Sequence, residues 1–470
     1  MSVKIVIVGT GPGGYAAAVR AASLGAEVTV IDKGDVGGTC LNRGCIPSKI
    51  FITAAEIIDN MHKASKFGIP LNSNFTIDLN QLIKLKYETI QDQIKGIISF
   101  FQKKKIRFIK GFGQIADPNQ IIVAEPDGKK TRVMAHKIIL ALGTIPANIS
   151  DLCFDHKNIL SSNDALNLDK VPESILIVGG GVIGCEFASI FSSFGTDVTI
   201  VESMPRLLPI SSIDEESSKV LLREMKKRKI DVKLNQKVQT FEIKNSKIHV
   251  KIKSPSAYNS EIEKAETFVV DKMLVCIGRS PDLSGTGIEQ IGVSTDSRGW
   301  LLADQKMKTN IDNIYAVGDI LGPSKIMLAH VASMEGVVAA ENAMGKNRIM
   351  DYDVVPVAIF TKPEVASVGL TCKLALEKGI DARSDRVLFR SLGKSHVIRE
   401  IAGHVKIVSD RKNGKIVGVH MIGAHATELI AEGALAVKMK SNVKELAQTI
   451  HAHPTLAEAM KDVAMIATGS

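Results

Sequence analysis

Residues 4–32, KIVIVGTGPGGYAAAVRAASLGAEVTVID, and residues 174–202, SILIVGGGVIGCEFASIFSSFGTDVTIVE, carry one pattern twice, 170 positions apart. Each stretch reads as a short buried strand, a glycine turn, an amphipathic helix and a second strand ending on an acid. Gly9, Gly11, Gly14 and Asp32 recur in register as Gly179, Gly181, Gly184 and Glu202. In G-x-G-x-x-G the first glycine allows the tight turn, the second lets a pyrophosphate reach the backbone, and the third lets helix pack on strand. Bare N–H groups at the helix start then favour phosphate. One such motif is weak evidence. Two in register predict an α/β chain with two Rossmann-like units and two bound dinucleotides, most economically a flavin and a nicotinamide. Glu202 would accept a bond from a free 2′-hydroxyl and repel a 2′-phosphate, which favours NAD over NADP, with Arg206 as a nearby counterweight.

At 470 residues the chain is too long for one ordinary core, so several domains are expected. Apolar residues at 45% and charged residues at 23% give the balance of a globular protein. Cysteines stand at 40, 45, 153, 185, 276 and 372. Only the first two are neighbours, which argues against a secreted disulfide framework and for a reducing compartment. The opening MSVKIVIVGTG enters a strand directly, without a signal or transit pattern, and no apolar stretch is long enough for a bilayer. A cytoplasmic protein without membrane insertion is expected. The charge of +9 raises nucleic acid as a partner. The basic runs 103–105 and 223–229 are short and lack interleaved aromatics, so they read as solvated helix faces and no nucleic acid is expected.

Cys40 and Cys45 lie within VGGTCLNRGCIPSK, residues 36–49. On an ideal helix, residues five apart have Cα atoms roughly 8–9 Å apart, whereas a disulfide tolerates at most about 7 Å. A bond between them therefore needs a loop or a distorted turn, which Gly37 and Gly38 permit. The following IPSKIFITAAEIIDNM looks helical, with Pro47 in an early turn that can spare its N–H. Cys45 then sits beside a helix N-terminus, where the dipole favours thiolate. The pair reads as a reversible redox disulfide. Zinc would want two more ligands at short spacing, which the other cysteines do not offer, so no metal is expected.

GGTCLNRGCIPSK together with the two nucleotide units resembles the pyridine nucleotide–disulfide oxidoreductases, essentially end to end, and among them the branch that oxidises dihydrolipoamide. The resemblance implies an FAD-binding domain over 1–148, an NAD-binding domain over 149–275, a central domain over 276–348 completing the FAD site, and an α+β dimer-interface domain over 349–470. For FAD it implies Gly9, Gly11, Gly14, Asp32, Lys49, Gly113 and Gly143. TNIDNIYAVGD ends on Asp319 at the ribityl and phosphate region, and MLAHVASMEG sets Met327, Leu328, Ala329 and His330 against the flavin ring. For NAD it implies Gly179, Gly181, Val182, Ile183, Gly184, Glu186, Glu202, Val238 and Gly278. Lys49 and Glu186 would pair beside the reactive edge of the flavin.

The closing HAHPTLAEA implies His453 as the acid–base that takes a proton from the substrate thiol, with Glu458 orienting it; His451 keeps a packing role. Cys40 would be the more accessible interchange thiol and Cys45 the one beside the flavin. The same resemblance implies a homodimer, because His453 would serve the opposite subunit. It implies as partner the lipoyl domain of a 2-oxo acid dehydrogenase acyltransferase or the glycine cleavage H protein. NADPH-linked relatives usually carry an aromatic gate where this chain has Val182. Arg43 replaces a residue that is often valine and borders the thiols, Asp32 stands where glutamate is usual, and HVASMEG replaces a more charged run. The polar segment from Asn245 to Glu266 reads as a hairpin loop.

Overall fold

Strands Lys4–Val8 and Ser174–Val178 are nearly continuous runs of Ile and Val, and all but their first residues are buried. Such runs suit the middle of a parallel sheet covered on both faces. The computed structural model describes residues 2–71, 75–253 and 266–469. They fall into two compact units, the first made of Met1–Ile50, Asn80–Asn148 and Gly278–Tyr352, the second of Phe51–Leu79, Ile149–Ile277 and Asp353–Ser470.

In the first unit a five-stranded parallel sheet runs in the order Ile314–Ala316, Lys137–Leu140, Lys4–Val8, Glu27–Asp32 and Arg107–Lys110. Helix Pro12–Ser23 crosses helix Ala329–Ala343 closely, since a Cβ on Gly336 would lie 2.1 Å from the Gly13 carbonyl oxygen. An antiparallel meander, Phe112–Asp117, Gln120–Ala124 and Lys130–Met134, follows. Ile145–Pro146 pairs with Arg279–Ser280.

The second unit repeats the parallel sheet in the order Asp231–Leu234, Asp197–Glu202, Ser174–Val178, Lys272–Val275 and Ile159–Leu160. The repeat extends to register. Lys4 opposes Glu27 as Ser174 opposes Asp197, and Val8 opposes Ile31 as Val178 opposes Val201. The described residues of the segment read as a hairpin loop are largely strand, in antiparallel pairing. Lys247–Lys253 pairs on both sides, with Ile248, Val250 and Ile252 buried. Its lysines occupy the other face of a period-two pattern, so mean polarity concealed the strand. The turn that precedes it uses Asn245 and Ser246 at φ 50° and 62°. Residues 254–265 lie outside the described residues.

The C-terminal part of this unit is a five-stranded antiparallel sheet, Val357–Ile359, Glu364–Gly369, Ile416–Gly423, His404–Asp410 and Ala382–Leu388. Helices Ala426–Lys438 and Glu458–Thr468 supply Ile430, Val463 and Ala464 to its core around Phe389, Val405 and Met421. Among the described residues no helix is long and apolar enough to cross a membrane. In the basic run 223–229, Arg223 and Lys227 pair with Glu224, and Arg228 pairs with Asp59.

One buried charge cluster ties helix Glu215–Lys227 to the antiparallel sheet. Asp214 caps the helix by accepting the Glu216 N–H at 2.9 Å. Its two carboxylate oxygens also take the buried Lys406 ammonium at 3.0 Å, and Glu216 takes the same ammonium at 2.9 Å and Arg386 at 2.9 Å. His404 lies beside them, and burial holds its imidazole down to about 4, so it is neutral at pH 7. Asp214, Glu216 and His404 have the spacing of metal ligands, but the cation between the two carboxylates is Lys406.

Burial pushes the Asp214 carboxyl up, yet the ammonium outweighs it and holds the group below the ordinary carboxylate range. Its stabilisation is therefore full above the unfolded value of about 3.9 and fades as pH falls through the lower folded one. Lys406→Met strands the acids and should cost about 3–5 kcal/mol at pH 7. That cost should shrink toward pH 4 as the orphaned carboxylates protonate, which chemical denaturation at the two pH values would check.

Candidate active site

Both glycine helices begin without a side-chain cap, Pro12–Ser23 after Gly11 and Val182–Ser193 after Gly181. The glycines on either side are fixed by backbone contact. A Cβ would lie 2.1 Å from the Ala141 oxygen at Gly9 and 1.9 Å from the Gly9 oxygen at Gly14. At Gly179 and Gly184 it would meet the Cys276 and Gly179 oxygens at 2.5 and 1.9 Å. At Gly11 and Gly181 it would meet nothing within 4 Å. Protein packing therefore explains the outer glycines but not the middle ones. Those border open space before uncapped N–H groups, the cradle that a pyrophosphate fits.

The acids at the strand ends already have a structural task. Asp32 accepts the Thr10 N–H at 2.7 Å and the Gly34 N–H at 2.8 Å. Glu202 accepts the Gly180 N–H at 2.6 Å and the Met204 N–H at 2.8 Å. Asp32 Oδ2 also accepts from Thr10 Oγ1, and Glu202 Oε1 from Ser203 Oγ. Each acid therefore braces its own glycine loop, a role their spacing did not reveal, and the other oxygen of each, Asp32 Oδ1 and Glu202 Oε2, retains a lone pair for a ribose. Arg206 is not a loose counterweight. Its guanidinium donates to Ser218 Oγ at 2.8 Å and to the Ile210 carbonyl at 2.7 Å.

The thiol segment abuts the first glycine loop. Gly37 donates its N–H to the Thr10 carbonyl at 3.1 Å, and a Cβ on Gly38 would lie 2.6 Å from Gly11 Cα. Cys40 lies on helix Gly38–Arg43, and Cys45 opens helix Cys45–Lys63. Gly37 and Gly38 take left-handed φ values of 99° and 58°, the distortion expected of them, and a second break at Gly44, at φ −136° and ψ −107°, separates the helices. A Cβ there would crowd the Thr39 oxygen at 3.0 Å, so glycine lets the second helix start close to Cys40. Asn42 braces the turn by donating to the Val36 and Gly38 carbonyls at 3.1 and 2.9 Å.

The two thiols are hydrogen-bonded to each other. That bond and burial push the Cys40 thiol up. Within the protein chain Cys40 is half-buried, and Cys45, at the start of its helix, is exposed.

Around the turn Gly318–Asp319, residues distant in sequence converge. Asp319 accepts from Thr144 Oγ1 at 3.5 Å, while Arg279 donates through Nε to Thr144 Oγ1 and through Nη2 to the Thr144 carbonyl, both at 2.6 Å. Burial pushes the Asp319 carboxyl up against the opposing pull of Arg279. The same guanidinium feels the charges of Arg43 and Cys45. Gly143, at φ 66°, turns the chain into Thr144, and Gly278, at φ 124°, accepts the Ala147 N–H at 3.0 Å. Gly113 packs under Ile31 and Val8. Met327 and Leu328 lead into helix Ala329–Ala343, whose N-cap Leu328 gives no side-chain cap, and Ala329 and His330 form the start of its first turn. Thr144 and Arg279 were not singled out in the sequence, since only the pairing of Ile145–Pro146 with Arg279–Ser280 brings them together.

In the second unit, Val182 and Ile183 begin the glycine helix, and Glu186, buried on it, accepts the Phe360 N–H at 3.0 Å. Val238 opposes Ile252 and packs against a buried cluster. Lys49 Nζ lies 3.5 Å from Ser48 Oγ in the first unit. His453 Nδ1 is 2.9 Å from Glu458 Oε1, and the other Glu458 oxygen takes the Thr455 N–H at 2.9 Å. The Thr455 N–H and His453 together hold the Glu458 carboxyl below its usual range. With 76% of its side chain exposed, His453 presents its second nitrogen to solvent. His451 is the contrast: its buried ring is anchored between Glu432 and the Thr449 carbonyl.

Residues 3–336 match the pyridine nucleotide-disulphide oxidoreductase family, and residues 355–464 match its dimerisation domain. The chain belongs to this family. It is 36% identical over 464 residues to dihydrolipoyl dehydrogenase 1, mitochondrial, of Arabidopsis thaliana, covering 98% of this chain and 89% of that protein. It is likewise 36% identical to the dihydrolipoyl dehydrogenase of Geobacillus stearothermophilus, covering 99% and 96%. The crystal structure of LpdA from Mycobacterium tuberculosis superposes with a TM-score of 0.90 at 28% identity, over 99% of each chain. The protein is thus an oxidoreductase with the α/β fold of two dinucleotide-binding sheets and a C-terminal dimerisation domain.

Two outcomes follow for this site. Gly11→Ala should fold normally yet lose flavin, whereas Gly14→Ala, driven into a backbone oxygen, should lower the melting temperature of the apoprotein; flavin absorbance and calorimetry separate them. Arg43 follows Cys40 by three positions on the same helix, a spacing that makes side chains neighbours. Arg43→Val should slow alkylation of the reduced thiols by iodoacetamide at pH 7 about threefold by removing a cation that favours thiolate.

Proposed function

We propose that this chain oxidises protein-bound dihydrolipoamide to lipoamide and reduces NAD⁺ to NADH, as the third component of 2-oxo acid dehydrogenase complexes. The observation that carries the reading is the Cys40–Cys45 pair, hydrogen-bonded together and pinned to the first glycine loop. The names of the full-length relatives point the same way.

The first unit would hold FAD through Gly9 to Gly14, Asp32, Asp319 and the helix start at Met327–His330. The second would hold NAD through Gly179 to Gly184 and Glu202. Bound FAD supplies the two-electron chemistry between dithiol and nicotinamide. Lys49 and Glu186 are proposed to pair at its reactive edge. The anchoring of Arg206 by Ser218 and Ile210 supports NAD over NADP, because it leaves Glu202 as the group facing a ribose 2′ position.

The protein's own steps are proton and sulfur transfers. His453, held by Glu458, removes a proton from one substrate thiol, and the thiolate attacks Sγ of Cys40 in the oxidised pair. The Cys40–Cys45 bond breaks and its electron pair leaves on Cys45. Leaving-group chemistry directs the attack to Cys40. Expulsion favours the thiol of lower pKa, and Cys45 has a helix N-terminus to receive the charge. The second substrate thiol, losing its proton, attacks the mixed disulfide and expels Cys40, which is protonated as lipoamide departs. A homodimer, with His453 serving the opposite subunit, fits the dimerisation domain and the exposed Leu435, Met439 and Ile450 on the C-terminal part.

Anaerobic titration of the purified protein should show its flavin reduced by dihydrolipoamide and reoxidised by NAD⁺. Fast reduction by NADPH with no response to dihydrolipoamide would instead assign an NADPH-linked disulfide reductase. Cys40→Ser and Cys45→Ser should each lower lipoamide-dependent NADH production by about a thousandfold or more while flavin stays bound. His453→Gln should lower it about 10²- to 10⁴-fold.

A further inference from the structure

One carboxylate joins two flavin-facing segments, the turn Gly318–Asp319 and helix Ala329–Ala343. Glu335, in the second turn of that helix, is 1% exposed. One of its oxygens accepts the Gly318 N–H at 2.7 Å, and the other accepts the Tyr352 hydroxyl at 2.6 Å. The Lys325 ammonium lies 5.0 Å from the centroid of the Tyr352 ring. Burial pushes the Glu335 carboxyl up, and the nearby Asp319 pushes the same way, against the bonds from Tyr352 and Gly318 and the charge of Lys325. A carboxylate in so buried a place is costly, and an apolar side chain would fill the volume at lower cost if packing were the whole role. What the carboxylate adds is direction, because its two oxygens grip two groups at set angles.

We propose that Glu335 is a positioning residue for the flavin and that Tyr352 acts through it. The carboxylate fixes the Gly318 N–H, and with it the Asp319 side chain, relative to the open first turn at Ala329. Tyr352 holds the carboxylate in that orientation. The inference rests on the flavin-binding roles proposed above for Asp319 and Met327–His330. Neither Glu335 nor Tyr352 is required to touch the cofactor.

The test uses the holoenzyme and its Tyr352→Phe, Glu335→Gln and doubly substituted variants, following FAD release by flavin fluorescence after dilution. Tyr352→Phe should release FAD about threefold to tenfold faster, and Glu335→Gln about tenfold or more, as expected for losing one bond to a charged acceptor. The double variant should release it no faster than Glu335→Gln, because the hydroxyl has no task once the carboxylate is gone. A side chain that merely packs would lower the melting temperature without changing the release rate. Wild-type release rates in both single variants overturn the inference, and so do effects that multiply in the double variant. Should Glu335→Gln fail to fold, Tyr352→Phe, which removes a single hydroxyl, decides alone: faster release supports the relay and a wild-type rate ends it. A wild-type protein that binds no FAD would bring down the functional reading itself, whereas a flavin-loaded wild type with unaffected variants brings down this inference only.

Discussion

The fold is organised around backbone oxygens lying where side-chain carbons would otherwise be. The Gly9 carbonyl sits against Gly14 and the Ala141 carbonyl against Gly9, with the same closeness at Gly184 and Gly179. Contact at that range sets each helix so near its strand that the first N–H groups of the helix emerge beside the strand ends. Everything placed at the nucleotide cradles inherits this spacing. The acids that end the second strands then secure the arrangement from the side, Asp32 through Thr10 and Glu202 through Gly180. The phosphate cradle and its brace are therefore one construction, made twice from equivalent positions.

The redox centre is an extension of the first of these constructions. Gly37 and Gly38 attach the thiol segment to Thr10 and Gly11, and Gly44 breaks the chain so that Cys45 can open a new helix beside Cys40. The environment is asymmetric: one thiol lies within a short helix, while the other lies at the positive end of a helix from Cys45 to Lys63. A symmetric pair would give an attacking thiolate no preference between sulfurs. The different helix positions of the two thiols make this pair unsymmetric.

Features set by contiguous residues are legible in the sequence. The two glycine units, the parallel sheets, the thiol pair, the helix after it and the closeness of His453 to Glu458 all follow from periodicity, short spacing or family likeness. Features set by chain return were not. Arg279 reaches Thr144 only because a two-residue strand closes back on Ile145–Pro146, and Arg206 finds Ser218 only because the chain turns between them. The strand Lys247–Lys253 was obscured for another reason, since its lysines outweigh its alternating Ile and Val in any average. Gly44, although plainly visible between the cysteines, was not given the task of breaking the helix between them.

The cluster of Asp214, Glu216, Lys406 and Arg386 has a consequence for how such chains diverge. Asp214 and Glu216 begin a helix of the second nucleotide-binding region, while Lys406 and Arg386 sit on strands of the C-terminal sheet. Loss of Asp214 or Lys406, the buried pair at the centre of the cluster, leaves a buried ion on the other side of the join without its main partner. Recombination that imported one region from a relative without the matching charge would yield a chimera with an unpaired ion inside it. The two regions are consequently bound to be inherited together, and a graft between family members would have to carry both halves of the cluster across.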